Sequence, residues 1–109
     1  MSEYAKKVDA NHALIREYIR DRLHYCWCDT SRNAFGFPDA VVIARNGIPV
    51  MLEIKSHGGW MEPREKKYQQ EVREAGCPFY FVVFSPEDAE HALAYAEAFE
   101  LVEKKPRSE

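Results

Sequence analysis

Asp39, Glu53 and Lys55 are the side chains of this chain whose types and spacing suit a hydrolysis. Asp39 closes the run Gly36-Phe37-Pro38-Asp39, and Glu53-Ile54-Lys55 begins fourteen residues after that aspartate. A phosphodiester is anionic and resists attack. Its metal-dependent cleavage needs carboxylate oxygens to hold a hard divalent cation, and a positive group beside the attacking water. Two carboxylates and an ammonium supply those groups. Taken singly each is ordinary, since Pro-Asp is a common turn dipeptide and a Glu two residues before a Lys usually marks a solvated strand face. Their joint order carries the reading. Glu53 interrupts a stretch otherwise apolar from Ile48 to Ile54, and Lys55 ends it, at a place in a sheet where an unpaired charge is costly.

The elements that must position these groups are two strands. Period-two alternation over Val50 to Lys55 sends Met51, Glu53 and Lys55 to one side and Val50, Leu52 and Ile54 to the other. Asp39 to Ala44 is also strand-like, and Asn46-Gly47 between the runs signals a hairpin. A two-residue loop would pair Ala40 with Glu53 and put Asp39 and Glu53 on opposite faces. A three-residue loop, Arg45-Asn46-Gly47 with Gly47 in the left-handed region, pairs Ala44 with Ile48 and sets Asp39 opposite Glu53. The second register is the expected one, with a cation relieving the repulsion of the facing carboxylates.

The remaining chain reads as a short series of elements. Asp9 to Leu23 predicts a helix whose Leu14, Ile15, Tyr18, Ile19 and Leu23 form one inward stripe. Tyr25 to Cys28 predicts a strand, and Asp29 to Gly36 a loop leading to the site. After the flexible His57-Gly58-Gly59, a second helix should start near Pro63 and stop at Gly76, ahead of Pro78. Phe79 to Phe84 predicts a strand covered on both faces. Ser85-Pro86-Glu87-Asp88 opens a third helix, with Ala89, Leu93, Ala96 and Val102 inward, and residues 103–109 read as a frayed tail. The order gives an α/β fold, a small mixed sheet flanked by helices.

Composition bounds the answer. With 109 residues and 46% hydrophobic content, residues 1–109 read as a single domain with a core spanning about 9–99. Fifteen basic and 18 acidic residues give net −3, so bulk charge does not advertise a nucleic-acid binder, although the acidic total includes the candidate metal ligands. No run reaches the roughly 18 apolar residues of a membrane span, and the amino-terminal segment lacks a signal-peptide core; the expectation is a cytoplasmic protein. Cys26, Cys28 and Cys77 are expected as reduced, buried thiols. Cys26 and Cys28 with His24 and His57 make a poor zinc set, because Cys-x-Cys on a strand lacks the turn that structural zinc favours.

With its acidic motif on this hairpin, the chain resembles the PD-(D/E)xK nuclease superfamily. Closer still, Gly36-Phe37-Pro38-Asp39-Ala40-Val41-Val42-Ile43, Glu53-Ile54-Lys55, a helix ending Glu74-Ala75-Gly76 and a strand running into Ser85-Pro86-Glu87-Asp88 look like the VRR-NUC family over about residues 9–95. The resemblance implies a restriction-endonuclease-like αβββαβ core with an additional C-terminal helix. It also implies Mg²⁺- or Mn²⁺-dependent DNA cleavage by a homodimeric, structure-specific endonuclease of the Holliday-junction or branched-DNA kind. The alternative from another class is a non-catalytic or partner-dependent DNA-binding or assembly module on the same fold.

Carried over by position, the resemblance makes Asp39 and Glu53 metal ligands, lets the Ile54 carbonyl complete the protein's share, and gives Lys55 the task of orienting or deprotonating the water. Where the family has a glutamine near the start of the second helix, this chain has Glu65, either an extra ligand or a repulsive neighbour of the phosphate; Gln69 is the candidate to take over the polar role. Where the family has a glutamate on the first helix, Glu17 points away and His12, beside Asn11, holds the inward position, so that His12 or Asn11 is a candidate accessory to coordinate a metal or contact phosphate, although a lone histidine on a helix face is more often structural. Arg32, Asn33, Arg64, Lys66 and Lys67 are candidate DNA-backbone contacts. Trp60 is expected to pack in the core, in preference to serving as a stacking platform, and Phe35 and Phe37 are candidates for a dimer contact.

Overall fold

In a computed structural model, residues 3–31 and 37–99 are described. The elements in chain order are α1 (Glu3–Arg16), a π-helical stretch (Glu17–Arg22), β1 (Cys26–Asp29), β2 (Ala40–Ile43), β3 (Pro49–Ile54), α2 (Pro63–Glu74), β4 (Tyr80–Val83) and α3 (Pro86–Glu97). The strands lie in the order β1-β2-β3-β4, with β1–β2 and β2–β3 antiparallel and β3–β4 parallel. The expected mixed sheet is therefore present, with β3 inside it.

The hairpin has the longer loop. Ala40 pairs with Leu52 and Val42 with Val50, and the Ala44 N–H donates to the Ile48 carbonyl at 2.8 Å. Gly47 takes φ +88°, the left-handed geometry that a residue without Cβ adopts at least cost. The parity of β3 follows. Val50, Leu52 and Ile54 enter a core with Ala40, Val42 and Ala44, closed by Ile15 and Ile19 from the first helical segment and by Ala89, Ala92, Leu93 and Ala96 from α3. Met51, Glu53 and Lys55 belong to the other face, which α2 covers beside β4.

The helix termini obey local chemistry. Glu62 and Glu65 form a reciprocal capping box ahead of Pro63, and α2 stops at Gly76, φ +98°, where Gly76 donates to the Arg73 carbonyl and Cys77 to that of Val72. Ser85 caps α3 by accepting from the Asp88 N–H.

Several expectations need correction. The first helix begins at Glu3 rather than Asp9, because its polar opening carries no apolar period to mark it, and from Glu17 it widens into π turns, Leu23 donating to the Tyr18 carbonyl five residues back. Ile15 and Ile19 are buried, but Leu14 is exposed. Cys26 and Cys28 are free thiols as expected yet exposed, because they lie on the part of the sheet face that α2 leaves open; Cys77 is half-buried. Trp60 is 78% exposed rather than in the core, since the loop between β3 and α2 carries it outward. The last strand runs Tyr80–Val83, shorter than expected, with Phe81 and Val82 half-buried at the sheet edge. Phe37, half-buried, packs on Tyr68 of α2 with ring centroids 5.5 Å apart. Arg32, Asn33, Phe35, Val102 and the 103–109 tail lie outside the described residues.

One long-range clamp ties α1 to the sheet end. The Asn11 amide donates to the Lys55 carbonyl at 2.8 Å and to the Phe84 carbonyl at 3.1 Å. Asn11→Ala strands two half-buried carbonyls and should cost about 1–3 kcal/mol of stability. Urea unfolding reads this directly, and an unshifted midpoint would remove the clamp from the account.

Candidate active site

Asp39 sits one residue before β2, where the ladder ends. Its N–H donates to the Leu52 carbonyl at 3.0 Å, the residue already paired with Ala40, so Asp39 is not simply opposite Glu53 as the ideal register implies. The slack turns its side chain inward, and Asp39 Oδ2 accepts the Ile54 N–H at 2.8 Å. Thr30 holds the same turn from the β1 side, donating its N–H to the Asp39 carbonyl at 2.8 Å and its hydroxyl to that of Pro38 at 2.6 Å.

Glu53 is 2% exposed, an unusual place for a carboxylate. Its Oε1 lies 3.8 Å from Lys55 Nζ, while its Oε2 is buried with no protein partner. Lys55 Nζ donates to Glu65 Oε1 at 2.9 Å, and that same oxygen accepts the Glu62 N–H at 2.7 Å. The N-terminal turn of α2 thus grips the lysine through Glu65, over the carboxylate pair.

The electrostatics follow from crowding. Burial, then the hydrogen bond with Glu65 and the charge of Asp39, push the Glu53 carboxyl up to about 10, so it keeps its proton at neutral pH. Burial also raises Asp39, against the Ile54 N–H, which favours its charged form. Burial opposes the Lys55 ammonium, but the Glu65 hydrogen bond and the charges of Glu53, Glu65 and Asp39 outweigh it and lift its pKa above the ordinary lysine value. Lys55 is therefore held as a cation here, suited to orienting a nucleophile and stabilising negative charge rather than to removing a proton. For Glu65, burial is outweighed by hydrogen bonds from Glu53, the Glu62 N–H and Lys55, which leave its pKa low.

Of the accessory candidates, Glu65 alone touches this cluster through a hydrogen bond. His12 is paired with Asp29, Nε2 to Oδ2 at 3.2 Å, and Arg16 approaches the same oxygen at 3.8 Å; Asp29 pairs with Ala40, whose side chain is on the core face rather than the Glu53 face. The Gln69 amide donates to the Tyr80 carbonyl at 3.4 Å and makes no hydrogen bond to Asp39, Glu53 or Lys55. Arg64 is exposed beside Glu62 at 3.3 Å, and Lys66 and Lys67 are exposed on α2. Glu17 is exposed, as its helical phase implies. Sequence reasoning missed Tyr80, which is wholly buried on β4 and packs on Tyr68 with centroids 6.0 Å apart. Its apolar run gave no signal beyond a tyrosine among phenylalanines and valines.

The donor set suits a hard cation. Asp39 keeps one carboxylate oxygen beyond its bond to Ile54, Glu53 Oε2 is unclaimed by protein, and a divalent ion would restore both charges. Among the described residues, no group of three or more His, Cys, Asp or Glu side chains is arranged to hold a metal by itself. Two carboxylates with a backbone carbonyl instead leave coordination positions for water and phosphate, the habit of magnesium.

An αβββαβ order with an acidic hairpin covered by a helix defines a restriction-endonuclease-like fold. No family model matches the sequence, and no curated protein matches it. Among solved structures, one described as a VRR_NUC domain is similar with TM-score 0.60 at 20% identity, covering 86% of this chain and 98% of that one. The fold of this chain is that of a VRR-NUC domain.

Proposed function

We propose that this protein is a divalent-metal-dependent nuclease that hydrolyses DNA phosphodiester bonds. The observation that carries the reading is the convergence of half-buried Asp39, at the foot of β2, and buried Glu53 on β3, both with oxygens to spare, beneath an ammonium fixed by Glu65. In this reading Asp39, Glu53 and the Ile54 carbonyl hold Mg²⁺ or Mn²⁺. When bound, such an ion neutralises phosphate charge and makes water a better nucleophile at neutral pH. Lys55 directs its N–H groups at the nucleophile or the developing phosphorane charge, and Glu65 keeps that ammonium from swinging into solvent. Lys66 and Lys67, exposed on the helix that roofs the site, contact the DNA backbone, and exposed Trp60, two residues before the Glu62 cap, offers a face for an unpaired base.

The finer reading is a homodimer acting on branched DNA, two sites related by a twofold axis cutting two strands. Apolar area for such a contact is available where Tyr95 and Phe99, both exposed, stack edge-on with Phe79. No described helix is long and apolar enough to cross a membrane.

The decisive experiment incubates the protein with labelled duplex, single-stranded, flap and four-way-junction DNA, in Mn²⁺ and in chelator. Cleavage in Mn²⁺ alone, strongest on a branched substrate, is the expected outcome. Binding of equal strength in both buffers with no product on any substrate would favour the non-catalytic module instead.

A further inference from the structure

Four buried side-chain polar atoms among the described residues lack a protein partner, and two of them, Glu53 Oε2 and the Tyr80 hydroxyl, belong to the same patch of the sheet. Tyr80 pairs with Met51 across the parallel β3–β4 ladder, so its side chain leaves the sheet on the face that carries Met51, Glu53 and Lys55. Glu53 is two residues further along that face. A diagonal neighbour at such a separation is within reach of a tyrosine side chain. From above, α2 closes the patch with Glu65 on Lys55 and Tyr68 on the Tyr80 ring, one helical turn apart. A tyrosine hydroxyl is both donor and acceptor. Donors in such settings are seldom left unused.

We propose that Tyr80 is a positioning residue of the metal site, its hydroxyl donating to Glu53 Oε2 through one trapped water and so fixing the carboxylate as an ion ligand. The oxygen has two lone pairs, one for this bond and one for the cation. Ligating carboxylates elsewhere are held by hydrogen bonds of this kind, and losing the supporting group typically weakens metal binding or activity 10–100-fold. The inference rests on the metal-binding reading of Asp39 and Glu53 given above.

Tyr80→Phe tests it, because the ring that packs on Tyr68 stays and only the hydroxyl goes. Titrating Mn²⁺ alone into the folded protein at 25 °C, with free Mn²⁺ followed by its paramagnetic resonance signal, should show binding about tenfold weaker than wild type. The metal-free melting temperature should be unchanged or raised, since the hydroxyl has no protein partner to lose. Equal Mn²⁺ affinity in the two proteins would overturn the role of Tyr80 and leave the metal site standing. A wild type that binds no Mn²⁺ would overturn both.

Discussion

Glu53→Gln should abolish metal-dependent cleavage, by at least about a hundredfold, and yet leave the metal-free protein no less stable than wild type. The first half follows from loss of a proposed ligand, which should exceed the 10–100-fold typical of merely supporting groups. The second half follows from burial. Glu53 is 2% exposed, its Oε2 has no partner, and its carboxyl is pushed up to about 10, so without metal the folded protein already holds it neutral. Glutamine has the size of that neutral acid. A pH signature accompanies the substitution. Between the ordinary glutamate value of 4.5 and about 10, the folded state binds a proton at Glu53 that the unfolded state releases. Stability in chelator therefore falls as pH rises through that window, by at most about 1.4 kcal/mol per pH unit from this group. Asp39, raised in the same sense, adds to the slope. Glu53→Gln should flatten it. Urea midpoints in chelator at pH 6 and pH 9 give the comparison, and identical slopes in the two proteins would remove Glu53 as the source.

The same burial explains what could be read from the sequence. Alternation on β3 and the Gly47 turn specify a register, and a register fixes which side chains share a face; that chain of reasoning reached the Asp39–Glu53–Lys55 cluster without coordinates. Pro63, Gly76 and Ser85 marked helix ends because each has a local conformational cause. What stayed hidden depends on contacts between distant segments. The grip of Glu65 on Lys55 requires the pose of α2 on the sheet, the pairing of His12 with Asp29 requires the path of α1 over β1, and the burial of Tyr80 requires Tyr68 above it. Trp60 shows the converse error. A large aromatic is expected inside, but the loop that bears it has no strand or helix to press it there, so hydrophobicity alone misplaced it.

Lys55 should prove the residue on which activity and stability both depend. Lys55→Met keeps most of the apolar stem and removes the ammonium, leaving Glu65 Oε1 with only the Glu62 N–H and Glu53 Oε1 without its cation. Removing one partner of a buried pair costs about 3–5 kcal/mol when burial is complete. Lys55 and Glu65 each keep 13% side-chain exposure, so about 3 kcal/mol is the upper bound here. Cleavage should fall at least about a hundredfold, the scale on which one preorganised donor matters. The double variant Lys55→Met/Glu65→Gln separates the two roles. Glutamine still accepts the Glu62 N–H at the helix cap but carries no stranded charge, so much of the lost stability should return. Activity should not return, because no ammonium then directs N–H donors at the nucleophile or the developing charge. Thermal unfolding and Mn²⁺-dependent cleavage measured on wild type and the two variants in parallel decide the matter. A double variant that regains cleavage would show that Lys55 serves to neutralise Glu65 rather than to act on substrate.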